Sequence, residues 1–432
     1  MLRTAALFGT ACAATLAAVG LLASASAHDM AGMPGMEPHH HHDSPATAEK
    51  LGAVAFPNAC AARSQAGVVR GVALLHSFGY AKAEQQFEAV AKADPDCAIA
   101  HWGVAMSRYH SLWDQPDAAD LTLGREAPAL AQDGLSAARR YARIAPASPH
   151  ALHMPAHIFA RLGLWDDDIA SNLASVAASR AAMAAGQPGG AHQMHADEFL
   201  IYAYLQTGQV AKAEALTAKI GAIGERMAAM PGMDDMKDGG PFFDSELRAI
   251  FAMETHRWTR LAALRPEPGA GPEFVFNIYW GRGVAAGRLH DPKLAAAALA
   301  DYDRSMEAVK ASPYAGLFPS PEIKRNEMLG WKALAEDRPD DAVAAMRRAA
   351  DQQDKLGQGE VDIPAREMLG DLLLLERRPG EALTEYRTAL KLSPNRLNGL
   401  RNAARAARDA GLAAEARRYK SAAARQTRRR TT

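Results

Sequence analysis

The feature that most constrains the fold of this chain is a corner pattern that returns along its length. A small or polar residue is followed five positions later by an alanine, at Gly208 and Ala213, Asp337 and Ala342, Arg377 and Ala382, and Gly411 and Ala416. The last two alanines are 34 residues apart, and other intervals reach 40 to 45 residues. One such unit is too small to bury its own apolar face, so neighbouring units must stack into an array.

Composition and period together predict that the repeating unit is a pair of helices. Ala, Leu, Arg and Glu are abundant and runs of β-branched residues are scarce, which favours helix over strand. A period of 34 residues is that of the tetratricopeptide repeat (TPR), and residues 383–394 resemble its second helix with the proline that follows it. The predicted fold class is all-α: a TPR-like α-solenoid of antiparallel helix pairs.

The first 27 residues have the three parts of a secretory signal peptide. Arg3 supplies the charge of the n-region, residues 5–22 form an apolar stretch, and residues 25–27 (Ala-Ser-Ala) form a cleavage site. The sequence therefore predicts a periplasmic or secreted protein whose mature chain begins at His28. No later segment is apolar for long enough to predict a membrane span.

The rest of the chain divides into four predicted segments. Residues 28–50 are rich in His, Met, Pro and Gly and are expected to be disordered. Residues 51–226 and 242–432 carry the N-terminal and C-terminal TPR-like repeats, and residues 227–241 are a Met-rich loop between them. The basic end from Arg396 is interpreted as a solvated helix face. Because 49 basic residues balance 49 acidic ones, no nucleic-acid partner is expected.

Four motifs resemble a group of exported bacterial TPR proteins. They are residues 74–78 (Leu-Leu-His-Ser-Phe), 94–103 (Asp-Pro-Asp-Cys-Ala-Ile-Ala-His-Trp-Gly), 153–159 (His-Met-Pro-Ala-His-Ile-Phe) and 195–200 (His-Ala-Asp-Glu-Phe-Leu). The similarity spans about residues 56–430. It implies a helical TPR array and an exported location, and it implies no particular reaction. The His/Met-rich segment is not part of this resemblance.

The segment after the signal peptide offers many ligands for transition metals. Thioethers favour Cu⁺ and imidazoles bind copper or zinc. The candidate metal ligands are His28, Met30, Met33, Met36, His39, His40, His41 and His42. Residues 33–36 (Met-Pro-Gly-Met) recur at 230–233, within a second run of methionines that starts at Met227. An inert linker is the alternative for the first run, and the apolar end of a helix is the alternative for the second.

A second set of histidines is predicted to line the concave face of the array. His150, His153 and His157 have the spacing of one helix face. When the Gly163 and Gly208 corners are aligned, His195, Glu198 and Tyr202 fall at the equivalent positions of the next repeat. The predicted groove residues are His76, His110, His150, His153, His157, His195, Glu198 and Tyr202. Three interpretations are open: ordinary packing histidines, a site for a peptide carboxylate or other anion, or a Zn²⁺ or Cu²⁺ site.

Pro155 leaves the geometry of this set open. Inside a helix, a proline removes a backbone hydrogen bond and kinks the chain, so His153 and His157 would not share a face. Alternatively, Pro155 is the first residue of a helix and His153 lies in the preceding loop.

Two cysteines remain after removal of the signal peptide, Cys60 and Cys97. In an exported protein this pair predicts one disulfide. Buried free thiols or soft metal ligands are the alternatives.

The sequence contains no nucleophile, nucleotide or zinc-protease motif of the familiar kinds. The first hypothesis is an exported scaffold that binds a protein, peptide or small ligand in its groove, with copper bound by the N-terminal segment. The second is a periplasmic copper-handling protein. The third is a metalloenzyme in which a groove metal activates water. A binding protein is favoured over an enzyme, and copper or zinc is the only cofactor expected.

Overall fold

In the computed structural model, helices account for nearly all of the described chain, and no strand occurs among the described residues. Described residues are 60–76, 80–109, 146–185, 190–229, 236–312, 320–357 and 361–428, with isolated positions between these ranges. The predicted signal peptide, the His/Met-rich segment and His110 lie outside them. No described helix combines the length and apolar composition that crossing a bilayer requires.

Most of the described helices are joined by short connections. The first eleven are α1 (Gln65–His76), α2 (Tyr80–Ala93), α3 (Ala98–Tyr109), α4 (Pro149–His153), α5 (Pro155–Arg161), α6 (Trp165–Ala184), α7 (Gly190–Gln206), α8 (Val210–Thr217), α9 (Ile220–Ala228), α10 (Met236–Glu254) and α11 (Trp258–Ala262). The others are α12 (Phe276–Arg288), α13 (Pro292–Ala311), α14 (Pro321–Ala335), α15 (Pro339–Leu356), α16 (Ala365–Leu375), α17 (Pro379–Leu392), α18 (Leu397–Asp409) and α19 (Ala413–Arg428).

The corners between paired helices share one hydrogen-bonding pattern. Each contains one residue with positive φ: Gly163, Gly208, His256, His290, Asp337, Arg377 or Gly411. At the first corner, the Gly163 N–H donates to the Ala160 carbonyl (3.0 Å) and the Leu164 N–H donates to the Phe159 carbonyl (2.8 Å). This pair of bonds is the Schellman motif, which ends a helix and satisfies its last carbonyls. The other six corners have the same two bonds.

Helices joined by these corners pack as antiparallel neighbours, so the predicted fold class, an all-α TPR-like α-solenoid, is confirmed. One hydrophobic cluster extends through the array from Ala156 to Ala407. The corner alanines Ala213, Ala342 and Ala382 are fully buried, which lets paired helices approach closely. A smaller cluster joins α1, α2 and α3, and there Cys60 and Cys97 form a disulfide with their Cα atoms 4.8 Å apart.

The Met-rich connection differs from the loop expected over residues 227–241. Helix α9 includes Met227 and ends at Ala228, and α10 already begins at Met236. Glycine explains the difference, because it serves here to bring two helices together. A Cβ added to Gly224 on α9 would lie only 2.8 Å from the Cα of Gly240 on α10. Gly224 and Gly240 are therefore a contact point between the two helices.

The turn between α17 and α18 reaches back to helices about 190 to 230 residues earlier in the chain. Asn395 accepts a hydrogen bond from the Trp165 indole (3.0 Å) through its carbonyl, and its side-chain amide donates to the Gly163 carbonyl (3.2 Å). The Leu397 N–H donates to the Gln206 side chain (3.0 Å). These contacts join the C-terminal repeats to α5, α6 and α7. The turn between α17 and α18 fills part of the space between these two groups of helices.

Candidate functional site

Three histidines from neighbouring helices meet in one cluster. His153 ends α4, His157 lies on α5, and His195 lies on α7. Each offers a ring nitrogen, and the three nitrogens lie within 4.8 Å of one another. The Nε2 atoms of His153 and His157 are 3.0 Å apart. We refer to these three residues as the histidine triad.

The local sequence explains how His153 and His157 come to share a face. Ser148 caps α4, accepting a hydrogen bond from the Ala151 N–H, and Pro149 is the first helical residue. Pro155 plays the same part for α5. Met154 between the two helices keeps helical dihedrals (φ −49°, ψ −35°), so the chain continues in nearly the same direction. Pro155 thus starts a helix, as one alternative held, but His153 ends the preceding helix and does not lie in a loop.

The amide of Asn172 fixes the tautomer of His153. Asn172 on α6 donates through Nδ2 to the carbonyl and to a carboxylate oxygen of Asp168, both at 3.0 Å. Its Oδ1 atom must therefore be the acceptor for His153 Nδ1, 2.6 Å away. With the proton on Nδ1, His153 presents the lone pair of Nε2 to the triad.

His195 is oriented in a similar way by a carboxylate. Its Nδ1 atom donates to Oε2 of Glu198, one turn later on α7, at 2.8 Å. In this tautomer the lone pair of the ring is on Nε2. A carboxylate that holds the far nitrogen of an imidazole is the usual outer partner of histidine ligands in zinc proteins.

The triad lies in a largely apolar and partly buried setting. His153 is 2% exposed, whereas the His195 side chain is 37% exposed, so the cluster connects the interior with solvent. The Phe199 ring contacts all three imidazoles, with centroid distances of 4.8 to 5.2 Å. Burial lowers the pKa of His153 well below its usual range, and the nearby His195 and His157 lower it further. His153 is therefore neutral near pH 7, the state that binds metal.

These distances suit a transition-metal ion. In a tetrahedral zinc site each nitrogen lies about 2.1 Å from the ion, so ligand nitrogens lie about 3.4 Å from one another. The triad nitrogens lie 3.0 Å apart for one pair and within 4.8 Å for all three, a range that includes this value. Three protein ligands leave the fourth position open, the arrangement of catalytic rather than structural zinc.

Two more histidines adjoin the triad. His150 on α4 is buried, and its Nδ1 atom lies 3.1 Å from Nδ1 of His192 on α7. Burial lowers the pKa of His150 to about 2 and that of His192 to about 4, with neighbouring imidazoles adding to both effects. His76 lies apart from this group, at the end of α1, where burial lowers its pKa.

Tyr202, expected to line an open groove, is instead buried inside the protein. It is 2% exposed, its hydroxyl donates to the Asp362 carbonyl, and the Arg396 guanidinium donates to the same hydroxyl. Arg396 also pairs with Glu254 (2.7 Å) and with Glu367 (2.9 Å). At this point the turn between α17 and α18 fills the groove. No local sequence pattern predicts this contact.

Asn172 and Asp168 are site residues that the sequence analysis missed. They lie on α6, which carries no candidate ligand, and a helix with an Asp and an Asn four residues apart has no distinctive signature. His192 had a signal, because His192 and His195 repeat the three-residue spacing of His150 and His153.

Comparisons with known proteins give only a distant structural likeness. One solved structure found to be similar is the crystal structure of the TPR domain of P58(IPK), with 16% sequence identity and a TM-score of 0.24. The match covers 86% of this chain and 95% of that chain. No protein-family model and no curated protein matches the sequence. The description of the chain as a TPR-like α-solenoid therefore stands on its own helix pairs and corners.

Proposed function

We propose that this chain is a helical-repeat scaffold that binds a transition-metal ion through His153, His157 and His195. Imidazole nitrogen suits zinc and copper, and the ligand set contains no thiolate, which would favour a softer metal ion. Glu198 and Asn172 serve as outer partners that aim two of the rings.

One observation supports the proposal above all. Two of the three imidazoles have Nδ1 engaged, His153 by Asn172 and His195 by Glu198, so that both present Nε2. Packing histidines need only a satisfied hydrogen bond each. A ring nitrogen from each of the three imidazoles lies within 4.8 Å of the other two, which brings three candidate ligands within reach of one ion.

The test is metal content after equilibrium dialysis against Zn²⁺, measured on the chain lacking residues 28–45 so that the N-terminal histidines do not contribute. We expect one ion per chain, and none in His157→Gln or His195→Gln. His101→Gln is the matched control, because His101 is exposed on α3 and bonds only locally, to the Pro95 carbonyl. A chain that retains no zinc, or variants that all retain it, would contradict the proposal.

Binding of a protein or peptide partner is a second candidate function. Stacked helix pairs form extended surfaces that commonly hold such partners. Arg396 occupies the face beside Tyr202, so a partner would bind elsewhere along the array. If a partner is found, the metal-binding variants above should still bind it, since the two functions use different residues.

Export and copper binding by the N-terminal segment are also proposals, and they come from the sequence. N-terminal sequencing of the periplasmic fraction should give His28 as the first residue. Deleting residues 28–45 should lower the copper bound per chain without affecting zinc bound at the triad.

A further inference from the structure

The last helix pair, α18 and α19, carries an excess of exposed positive charge. The acidic residues on these two helices are Asp409 and Glu415. Seven basic side chains on the same helices are exposed: Arg401, Arg405, Arg408, Arg417, Arg418, Lys420 and Arg425. This pair is therefore strongly basic, within a chain whose basic and acidic residues balance.

The basic side chains lie on helix faces that point away from the core. On α18, Arg401, Arg405 and Arg408 are four and three residues apart and so share one face. On α19, the apolar side chains that pack against the core are spaced in the same way: Ala416, Tyr419 and Ala423. The cations of α19 lie outside that apolar stripe. Both helices thus have an apolar face inward and a basic face outward.

Ion pairs within the protein neutralise only part of this charge. Asp409 pairs with Arg408 (2.9 Å) and with Arg405 (3.7 Å). Glu415 pairs with Arg418 (3.3 Å). In the described part of the chain, the remaining four cations form no ion pair: Arg401, Arg417, Lys420 and Arg425. These four side chains are available to an external anion.

An exposed leucine lies at the corner between the two basic helices. Leu412 follows Gly411, the residue with positive φ, and is 44% exposed. The Leu412 N–H donates to the Ala407 carbonyl (2.8 Å), which holds it against the last turn of α18. Arg408 and Arg417 are the nearest basic residues along the chain on either side of it. Basic side chains around an exposed apolar one are typical of a helix surface that binds a membrane interface.

Phosphate is the anion that suits these side chains, and Leu412 indicates where the phosphate comes from. Six of the seven cations are arginines, and a planar guanidinium binds two phosphate oxygens at once. Lipid headgroups and nucleic acids both present phosphate. The leucine can enter the headgroup region of a bilayer, whereas a nucleic-acid backbone offers it no apolar contact. The balanced charge of the whole chain also gives little long-range attraction toward a nucleic acid.

We propose that α18 and α19 form a peripheral binding surface for an anionic phospholipid bilayer. The basic side chains contact headgroup phosphates, and Leu412 lies at the level of the headgroups. Each basic residue close to such a surface strengthens binding about 5-fold. The proposal is independent of the metal triad, because the two sites share no residue.

Vesicle sedimentation tests the surface on the chain that begins at His28, so that the apolar residues 5–22 do not bind lipid. The probe is a vesicle of phosphatidylcholine and phosphatidylglycerol, and a phosphatidylcholine vesicle is the neutral reference. We expect binding to the anionic vesicle alone, and weaker binding as salt is raised. Failure to bind the anionic vesicle, or equal binding to both vesicles, would overturn the proposal.

A double variant locates the binding surface. Arg401→Gln combined with Arg417→Gln should weaken vesicle binding about 25-fold, because two cations near the bilayer are lost. The control combines Lys293→Gln with Arg348→Gln, which removes the same charge from exposed positions on α13 and α15. If the two double variants bind equally, the attraction comes from overall charge and the proposed surface is refuted.

Leu412→Ser separates a lipid from a nucleic acid. It should weaken vesicle binding a few-fold and leave the salt dependence unchanged, since no charge is lost. Leu289→Ser is the control, because Leu289 is a leucine of similar exposure (42%) at another corner, and it should bind as the wild type does. If a DNA duplex binds more tightly than the vesicle and Leu412→Ser changes neither affinity, the surface binds nucleic acid and the lipid proposal is wrong.

Discussion

Asn172 is not one of the three histidines of the triad, but its hydrogen bond determines which nitrogen of His153 faces the other two. Its amide orientation is set by Asp168, a buried carboxyl whose pKa burial raises well above its usual range. The chain of contacts from Asp168 through Asn172 to His153 fixes a single tautomer. Residues that touch no ion can therefore tune the affinity for it.

Replacing Asn172 with alanine should weaken zinc binding at the triad by about 10- to 100-fold, because His153 would lose its fixed tautomer. Competition with a chromophoric chelator at pH 7 measures the change. Asn402→Ala is the control, since Asn402 also donates to a carboxylate, Asp371 (2.9 Å), away from the site. Equal affinities in both variants would show that Asn172 does not orient His153 for binding.

At this scale, the sequence indicated the three histidines of the triad better than the residues that orient them. The regular spacing of His153, His157 and His195 on helix faces was visible. The role of Asn172 was not, because it comes from the packing of α6 against α4, and contacts between side chains 19 residues apart leave no periodic pattern.

Helix pairs were the most predictable elements of the fold. Corners were expected at Gly163, Gly208, Asp337, Arg377 and Gly411, and all five have positive φ. His256 also has positive φ and forms a further corner. The corner at His290 was missed, although Ala295 follows five positions later and the same pair of hydrogen bonds ends the helix.

Packing between helices buries some ionisable groups, and the local sequence does not predict which ones. Glu327 on α14 is buried and accepts a hydrogen bond from the Trp280 indole of α12 at 2.7 Å. Burial raises the pKa of Glu327 to about 8, and the charge of Asp362 adds to the effect. A raised carboxyl pKa in the folded state means that Glu327 destabilises the fold as pH rises above its unfolded pKa and toward pH 8.

Glu327→Gln should remove this pH dependence. Between pH 5 and pH 7, the wild type should lose about 2 kcal/mol of unfolding free energy relative to the variant, since one pKa unit corresponds to about 1.4 kcal/mol. Urea unfolding at the two pH values gives the comparison. Glu322→Gln, exposed on the same helix, should track the wild type. Parallel pH profiles for wild type and Glu327→Gln would show that Glu327 is already ionised in the fold.

At the scale of the whole molecule, the turn that precedes α18 was beyond the reach of the sequence. The period of the repeats predicts which units pack against one another, because units that are adjacent in sequence are joined by short connections. It does not predict how far the array curves, since curvature accumulates from small rotations per repeat. The contact of Arg396 with Tyr202, across 194 residues, is the result of that accumulation.

Arg396 lies at the centre of this long-range contact and should be essential to it. It is 1% exposed and pairs with Glu254 and Glu367, so Arg396→Met would leave two buried carboxylates without their cation. We expect a loss of about 3 to 5 kcal/mol in unfolding free energy at pH 7. The loss should be smaller at pH 5, because burial raises the pKa of Glu367 and its carboxyl takes up a proton.

A second arginine gives the comparison for this prediction. Arg387 pairs with Glu415 on the surface, at 2.6 Å, and Arg387→Met should cost about 1 kcal/mol or less. Chemical denaturation of both variants checks the difference. Similar losses in the two variants would mean that the buried network contributes no more than a surface ion pair.

Two glycines separate the cost of a strained corner from the cost of breaking the long-range contact. Gly163 and Gly411 both occupy helix corners with positive φ, at 62° and 78°. A Cβ at Gly411 would meet nothing within 4 Å, whereas a Cβ at Gly163 would overlap the carbonyl oxygen of Pro394. Alanine at Gly411 therefore carries only the backbone penalty, about 1 kcal/mol. Alanine at Gly163 carries the same penalty and must also push the turn before α18 away.

Gly163→Ala should consequently destabilise the protein by at least about 2 kcal/mol more than Gly411→Ala, the range of an overpacked interior contact. It should also speed hydrogen exchange at the Leu397 N–H, which donates to Gln206 across the contact. Thermal unfolding and amide exchange measure the two effects. If both alanine variants unfold alike and Leu397 stays protected, the C-terminal turn does not hold the distant repeats together.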